Sequence, residues 1–206
     1  MSVQEIVLPN NDSFFASNRA FGAVGMILSP MLFLASFFFA PQFDQPSPHP
    51  FLAGLGGVLY LSGAMASATG MRNLRVTGNG KGADVLYFVQ MTGLLLAMCF
   101  DVLENAAPQL RETTVFFITD MAYPFSHILM ITVGIAVIRG GVWRGWRRIP
   151  AFLVGLALPS FIGLSVAFGR ENGSFIFPLM VTVGFFLLGL AVFTTGTKDL
   201  SEINLR

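Results

Sequence analysis

The sequence predicts an all-α integral membrane protein: a single bundle of about six transmembrane helices, joined by short loops, with both termini cytoplasmic. Three observations carry that reading. Only 11% of the 206 residues are charged and 54% are hydrophobic, against roughly 25% and 45–50% in water-soluble domains. The chain divides into six apolar stretches of about membrane-spanning length. Lys and Arg fall almost entirely on one side of the alternation that those stretches impose.

Residues 1–19 are expected to form a cytoplasmic segment. Glu5 and Asp12 precede any basic residue, and the apolar run that follows is too long for a signal-peptide core, so the first span is read as permanent. That span is placed at about 20–40, with Pro30 near its middle. A loop rich in proline, from Pro41 to Pro50, leads to a second span at about 51–71, where Gly63-x-x-x-Ser67 offers a small-residue packing seam. The third span, about 84–105, carries Asp101 and Glu104 close to its end, and Pro108 forces that helix to stop. The fourth, about 115–138, contains Asp120, Tyr123, Pro124 and His127. The fifth and sixth, about 149–169 and 174–196, are free of charge apart from their margins, and Pro159 interrupts the fifth. Together the spans make one transmembrane domain over 20–197, followed by a cytoplasmic tail at 198–206.

Basic residues set the orientation. Arg72, Arg75 and Lys81 lie between spans two and three, and Arg139, Arg144, Arg147 and Arg148 lie between four and five. Arg19, Lys198 and Arg206 flank the bundle on the same side, while the other side has only Arg111 and Arg170. The positive-inside rule therefore predicts a multi-pass protein of the cytoplasmic (inner) membrane, N-in and C-in. Trp143 and Trp146, set among those arginines, are expected to anchor the interface. The single cysteine, Cys99, rules out an internal disulfide and is expected to be a buried thiol. Membrane lipids are the expected surroundings, and other membrane subunits or a second copy of the chain are the candidate partners. A net charge of +1 without a basic block makes nucleic acid an unsuitable one. Asn172-Gly173-Ser174 matches a glycosylation sequon, a pattern too common to argue from.

An internal echo is visible. The run from Gly63 to Leu74 at the end of span two resembles the run from Gly189 to Leu200 at the end of span six, and Val24-Gly25 is matched by Val154-Gly155. A parallel helix-hairpin repeat, of the kind transporters use, would produce it, and so would the low complexity of an apolar chain with 22 glycines.

The candidate site follows from polar residues that the topology makes expensive. Gln90, Ala97, Asp101 and Glu104 share a stripe of span three, and Asp120, Tyr123, His127 and Gly134 share one of span four. Polar groups in a span seldom face lipid, so the two stripes are expected to face each other as an outward-facing acidic and histidine pocket. Asp101 and Glu104 lie at the end of a helix where the dipole disfavours acids by roughly 0.3–1 kcal/mol each, so they call for water, a cation or a partner. Thr119-Asp120 has the alternative role of capping a shorter fourth helix. His127 is placed about two turns inside the outer boundary, where it either hydrogen-bonds a neighbouring helix or relays a proton with Glu104 or Asp120.

The residues Asp101, Glu104, Asp120, Tyr123 and His127 are thus the candidate ligand or proton site. No catalytic residue and no cofactor is implied. Lys81 and Lys198 sit at the cytoplasmic edge, out of place for a retinal Schiff base, and no nucleotide loop or nucleophile motif occurs. His49 and His127 fall in dissimilar settings for a bis-histidine haem, no paired metal-ligand spacing is present, and the question of a metal stays open. A small transporter or ion-coupled protein is the leading functional reading. A non-catalytic accessory or assembly subunit of a larger membrane complex is the alternative, and an intramembrane enzyme comes third.

Overall fold

A computed structural model of the chain describes residues 12–39, 49–169 and 176–195. Residues 1–11, Asp44 with its proline-rich loop, Arg170, Glu171, the Asn172-Gly173-Ser174 triplet and the tail from 196 lie outside the described residues. Among the described residues the fold is all-helical, and six of its helical segments are long and apolar enough to cross a membrane. We number the helices α1 (Asp12–Leu28), α2 (Pro30–Phe39), α3 (Pro50–Asn73), α4 (Lys81–Ala106), α5 (Thr114–Gly140), α6 (Pro150–Phe168) and α7 (Ile176–Thr194). Helices α1 and α2 together make the first span, broken at Ser29 because Pro30 supplies no backbone N–H to continue the ladder.

Local chemistry sets the helix ends. Pro50 and Pro150 open α3 and α6, positions where a missing N–H costs nothing. Helix α4 stops at Ala106, just before Pro108. The Thr113 side chain caps α5 by accepting from the Phe116 N–H at 3.3 Å. That cap lies six residues before Thr119, so the capping role considered for Thr119-Asp120 does not apply: both residues sit inside a continuous helix. The same helix ends at Gly141, whose φ of 71° is the left-handed conformation that favours glycine.

Consecutive spans pack side by side, and α7 closes the ring by packing on α1. The closure depends on glycine. A Cβ on Gly189 would lie 2.7 Å from the Met26 nitrogen and 2.9 Å from the Gly22 carbonyl oxygen, so α1 and α7 touch backbone to backbone. Gly63 in turn packs on Leu28 and Ser29. The sequence echo does not extend to packing, because Gly63 and its counterpart Gly189 both face α1, whereas a repeated hairpin would have turned Gly189 toward α6.

Large apolar side chains such as Ile27, Phe37, Phe88, Ile118 and Val166 are exposed around the outside of the ring. In water this would be a severe aggregation liability, and in a bilayer it is the expected outer surface. Cys99 belongs to that surface: it is exposed, not buried, because it shares a face of α4 with exposed Leu95 and Val102. Trp143 also departs from expectation. It is completely buried and its Nε1–H donates to Thr195 Oγ1 at 2.9 Å, which makes it a plug between the α5–α6 connection and the end of α7. Trp146 is the exposed one of the pair, at 44%. At the same end Arg72 is ion-paired with Asp84, and Arg148 Nε donates to the Trp143 carbonyl at 2.6 Å. We refer to this as the basic end and to the opposite one, with Glu104 and Arg111, as the acidic end.

Candidate functional site

His127 lies thirteen residues from either end of α5, which at 1.5 Å per residue places it about 20 Å deep, near the middle of the span. This is deeper than the two turns expected from the sequence, although the span read there, about 115–138, already has His127 near its middle. Tyr60 near the middle of α3 and Phe185 near the middle of α7 occupy the same level.

The central interaction is a hydrogen bond of 2.8 Å between the Tyr60 hydroxyl and His127 Nε2. Tyr60 is fully buried and His127 is 1% exposed. The other ring nitrogen, Nδ1, lies 2.7 Å from the Tyr123 carbonyl oxygen, which can only accept. Nδ1 must therefore carry a proton, and in the neutral ring Nε2 is the acceptor for the Tyr60 O–H. Both ring positions are fixed by their partners.

An aromatic cage surrounds the imidazole. Tyr123 stacks on it with centroids 4.7 Å apart, Phe177 approaches at 5.3 Å, and Phe185 meets it edge-on at 6.4 Å while also packing on Tyr60 at 5.5 Å. Rings at about 6 Å or less can stabilise a cation through their faces. Among the described residues, α7 brings Phe177 and Phe185 to the ring and α6 backs Phe177 with Phe161, while Tyr60 and Tyr123 are the titratable groups in contact with it.

Asp101 approaches from α4. Its carboxylate occupies the space above Gly57 that a Cβ would fill, and its Oδ2 is buried without a hydrogen-bond partner. Gly57 is about one helical turn before Tyr60 on α3, so the carboxylate packs against the turn of α3 that precedes the tyrosine. A buried carboxyl oxygen with no partner is costly and demands a proton, a water or a cation.

The structure thus places Tyr123 and His127 against Tyr60 and Asp101 one turn away beside Gly57; Glu104 lies one turn beyond Asp101 on α4 and turns to the rim, and Asp120 stands apart. Glu104 is 43% exposed and faces Arg111 at 3.5 Å, an ion pair at the acidic end far from the imidazole. Asp120 is half-buried, and among the described residues no hydrogen bond or ion pair joins it to the cluster. Near this level α5 meets α4 through Ser126, whose carbonyl accepts from Gln90 Nε2 at 3.3 Å and whose Oγ abuts Gly93. His127 is one residue and about 100° further round, so it turns away from α4 toward α3 and α7.

Comparison with known protein families, curated proteins and solved structures returned no match. The site is therefore read from its own chemistry. Two residues escaped the sequence reading: Tyr60, which holds the histidine, and Gly57, which makes room for the carboxylate. A signal for the first existed. All three tyrosines of the chain, Tyr60, Tyr87 and Tyr123, fall within spans, where each hydroxyl needs a partner. Among the described residues no three His, Cys, Asp or Glu side chains converge as metal ligands would.

Proposed function

We propose that this protein is a small proton-coupled transporter of the inner membrane, in which Asp101, Tyr60 and His127 take up and hold the coupled proton. The observation that carries the reading is the fully buried Tyr60–His127 hydrogen bond with the unpartnered Asp101 oxygen one turn away. Buried ionisable groups at this depth are costly to keep, and transporters place their binding groups near the midplane. The broken first span supports the same reading, since discontinuous helices are a recurrent transporter feature.

A proton enters from the acidic end and binds Asp101. It is passed to the Tyr60 oxygen as the Tyr60 proton moves to Nε2, so that tyrosine ends neutral and the imidazole becomes imidazolium. Nδ1–H keeps its bond to the Tyr123 carbonyl throughout, and the aromatic cage stabilises the new charge. Glu104, held by Arg111 at the rim, has no part in this transfer. The accessory-subunit alternative would put function on that exposed rim and would leave the buried pair without a role.

The test is electrometry on proteoliposomes adsorbed to a solid support. A pH jump applied from the acidic end is expected to give a transient charge displacement in the native protein and in Glu104→Gln, and none in Asp101→Asn or His127→Gln. Absence of the transient in the native protein, or its persistence in both of the latter variants, would rule the reading out.

The orientation belongs to the same proposal: the basic end is cytoplasmic, following the distribution of Lys and Arg. With Cys99 replaced by serine, a membrane-impermeant maleimide is expected to label Gln109→Cys in intact cells. It should reach Asn79→Cys and Gly145→Cys only after permeabilisation. The reverse pattern would invert the topology and the direction of proton entry.

A further inference from the structure

On the basic-end side of the Tyr60–His127 pair, helices α3, α4, α5 and α7 line a partly open cavity of about 30 Å³. Its walls are largely apolar, including Ala64, Leu94, Met130 and Leu188, with Tyr87 and Arg72 toward the basic end. One polar group in the wall is unsatisfied. Gln90 is 3% exposed, its Nε2 is committed to the Ser126 carbonyl, and its Oε1 has no partner. Phe185 lines the cavity on one side and packs against Tyr60 and His127 on the other.

Size decides what the cavity takes. A bound water needs roughly 10–15 Å³ of such volume, so the space has room for about two waters. Water also needs polar partners, and the Gln90 carbonyl oxygen supplies an acceptor where an apolar wall would leave the space dry. We infer that this cavity binds a short water chain anchored on Gln90 Oε1, forming the basic-end half of the proton path, and that Phe185 is the barrier separating it from the Tyr60–His127 pair. The inference rests on the proton reading of that pair and adds the exit side and the element that keeps the two halves apart. A closed barrier is what a coupled carrier requires, since water continuous from Asp101 to Arg72 would let protons leak without work. Phe185 suits that role because its ring fills the level at which the two polar regions would otherwise meet, and an apolar plug excludes water without adding a charge.

The experiment uses the same proteoliposomes under a steady imposed pH gradient, read with an internal pH-sensitive dye. Native protein is expected to hold the gradient, and Phe185→Ala to collapse it on the order of tenfold faster, the change that loss of about 1.4 kcal/mol from a barrier gives. Phe185→Leu, a milder truncation that keeps the core filled, should fall between the two and guards against a Phe185→Ala protein that fails to fold. Adding Gln90→Leu to either variant should return the leak toward the native rate. A folded Phe185→Ala or Phe185→Leu that holds the gradient as well as native protein would overturn the barrier, and an undiminished leak after Gln90→Leu would overturn the water site. Adding His127→Gln separates this inference from the reading beneath it. A leak that persists in Phe185→Ala/His127→Gln leaves the barrier standing and removes His127 from the path.

Discussion

Gly189→Leu is expected to cost about 3 kcal/mol, the upper part of the range for overpacking, and to lower the melting temperature in detergent by roughly 10 °C for a chain of this size. A Cβ at this position would meet only main-chain atoms of α1: the Met26 nitrogen at 2.7 Å, the Gly22 oxygen at 2.9 Å and the Gly25 carbonyl carbon at 3.0 Å. No side-chain rotation can relieve that contact, so the two helices must separate along their length and the ring opens where α7 closes on α1. Gly22→Leu should behave the same way, since it attacks the contact from the other side, within 2.7 Å of the Gly189 oxygen and the Phe193 Cα. Gly163→Leu is the control. It lies on an exposed position of α6 with nothing within 4 Å, and its melting temperature should move by no more than a surface substitution allows. Thermal scans of the three variants decide the matter: equal melting of Gly189→Leu and Gly163→Leu would mean that α1 and α7 are not in contact as described.

The apolar stretches made the six spans legible because a water-soluble fold rarely needs an uncharged run as long as a bilayer is thick. Breaks and boundaries were legible where a single residue enforces them, as Pro108 does for α4 and Pro30 does for the first span. The start of α5 was harder to read. Thr119-Asp120 has the chemistry of a cap, and only the helix itself shows that the cap is Thr113, whose Oγ1 accepts the Phe116 N–H. With α5 starting at Thr114, close to the expected 115, His127 lies at the middle of its span; a helix starting at Thr119-Asp120 would have left it near the edge.

Helix facing was the other limit. A stripe on α5 can be drawn from Asp120 to Gly134, but which neighbour it meets depends on how the ring closes, and periodicity carries no information about that. Ser126, a residue with no apparent claim to attention, turned out to face α4 at mid-span, and its neighbour His127 was thereby turned toward α3 and α7. The same limitation misplaced Cys99 and Trp143. A lone cysteine is usually buried and an arginine-flanked tryptophan usually sits at the interface, yet here each residue's environment was set by which face of the ring it occupies.

The second large effect is expected at Tyr60→Phe. The substitution keeps the ring that packs on Phe185 and removes only the hydroxyl, leaving His127 Nε2 without a donor inside an aromatic cage. Hydrogen bonds between membrane helices are often worth well under about 1 kcal/mol, because either partner can find a substitute. No substitute is at hand for Nε2 among the phenylalanines around it, so the cost should approach that of a buried unsatisfied acceptor, about 1–3 kcal/mol. The pH-jump transient should also disappear, because the hydroxyl that hands a proton to the imidazole is gone.

Nitrogen NMR of the His127 ring in lipid tests the central claim most directly. In native protein at neutral pH the neutral ring should carry its proton on Nδ1, with Nε2 showing the resonance of an unprotonated nitrogen that accepts a hydrogen bond. In Tyr60→Phe the Nε2 resonance should move further downfield, as it does when a pyridine-type nitrogen loses its donor, while Nδ1 stays where the Tyr123 carbonyl holds it. A native ring protonated on Nε2 with Nδ1 bare, or an Nε2 resonance that ignores the loss of the Tyr60 hydroxyl, would contradict the account.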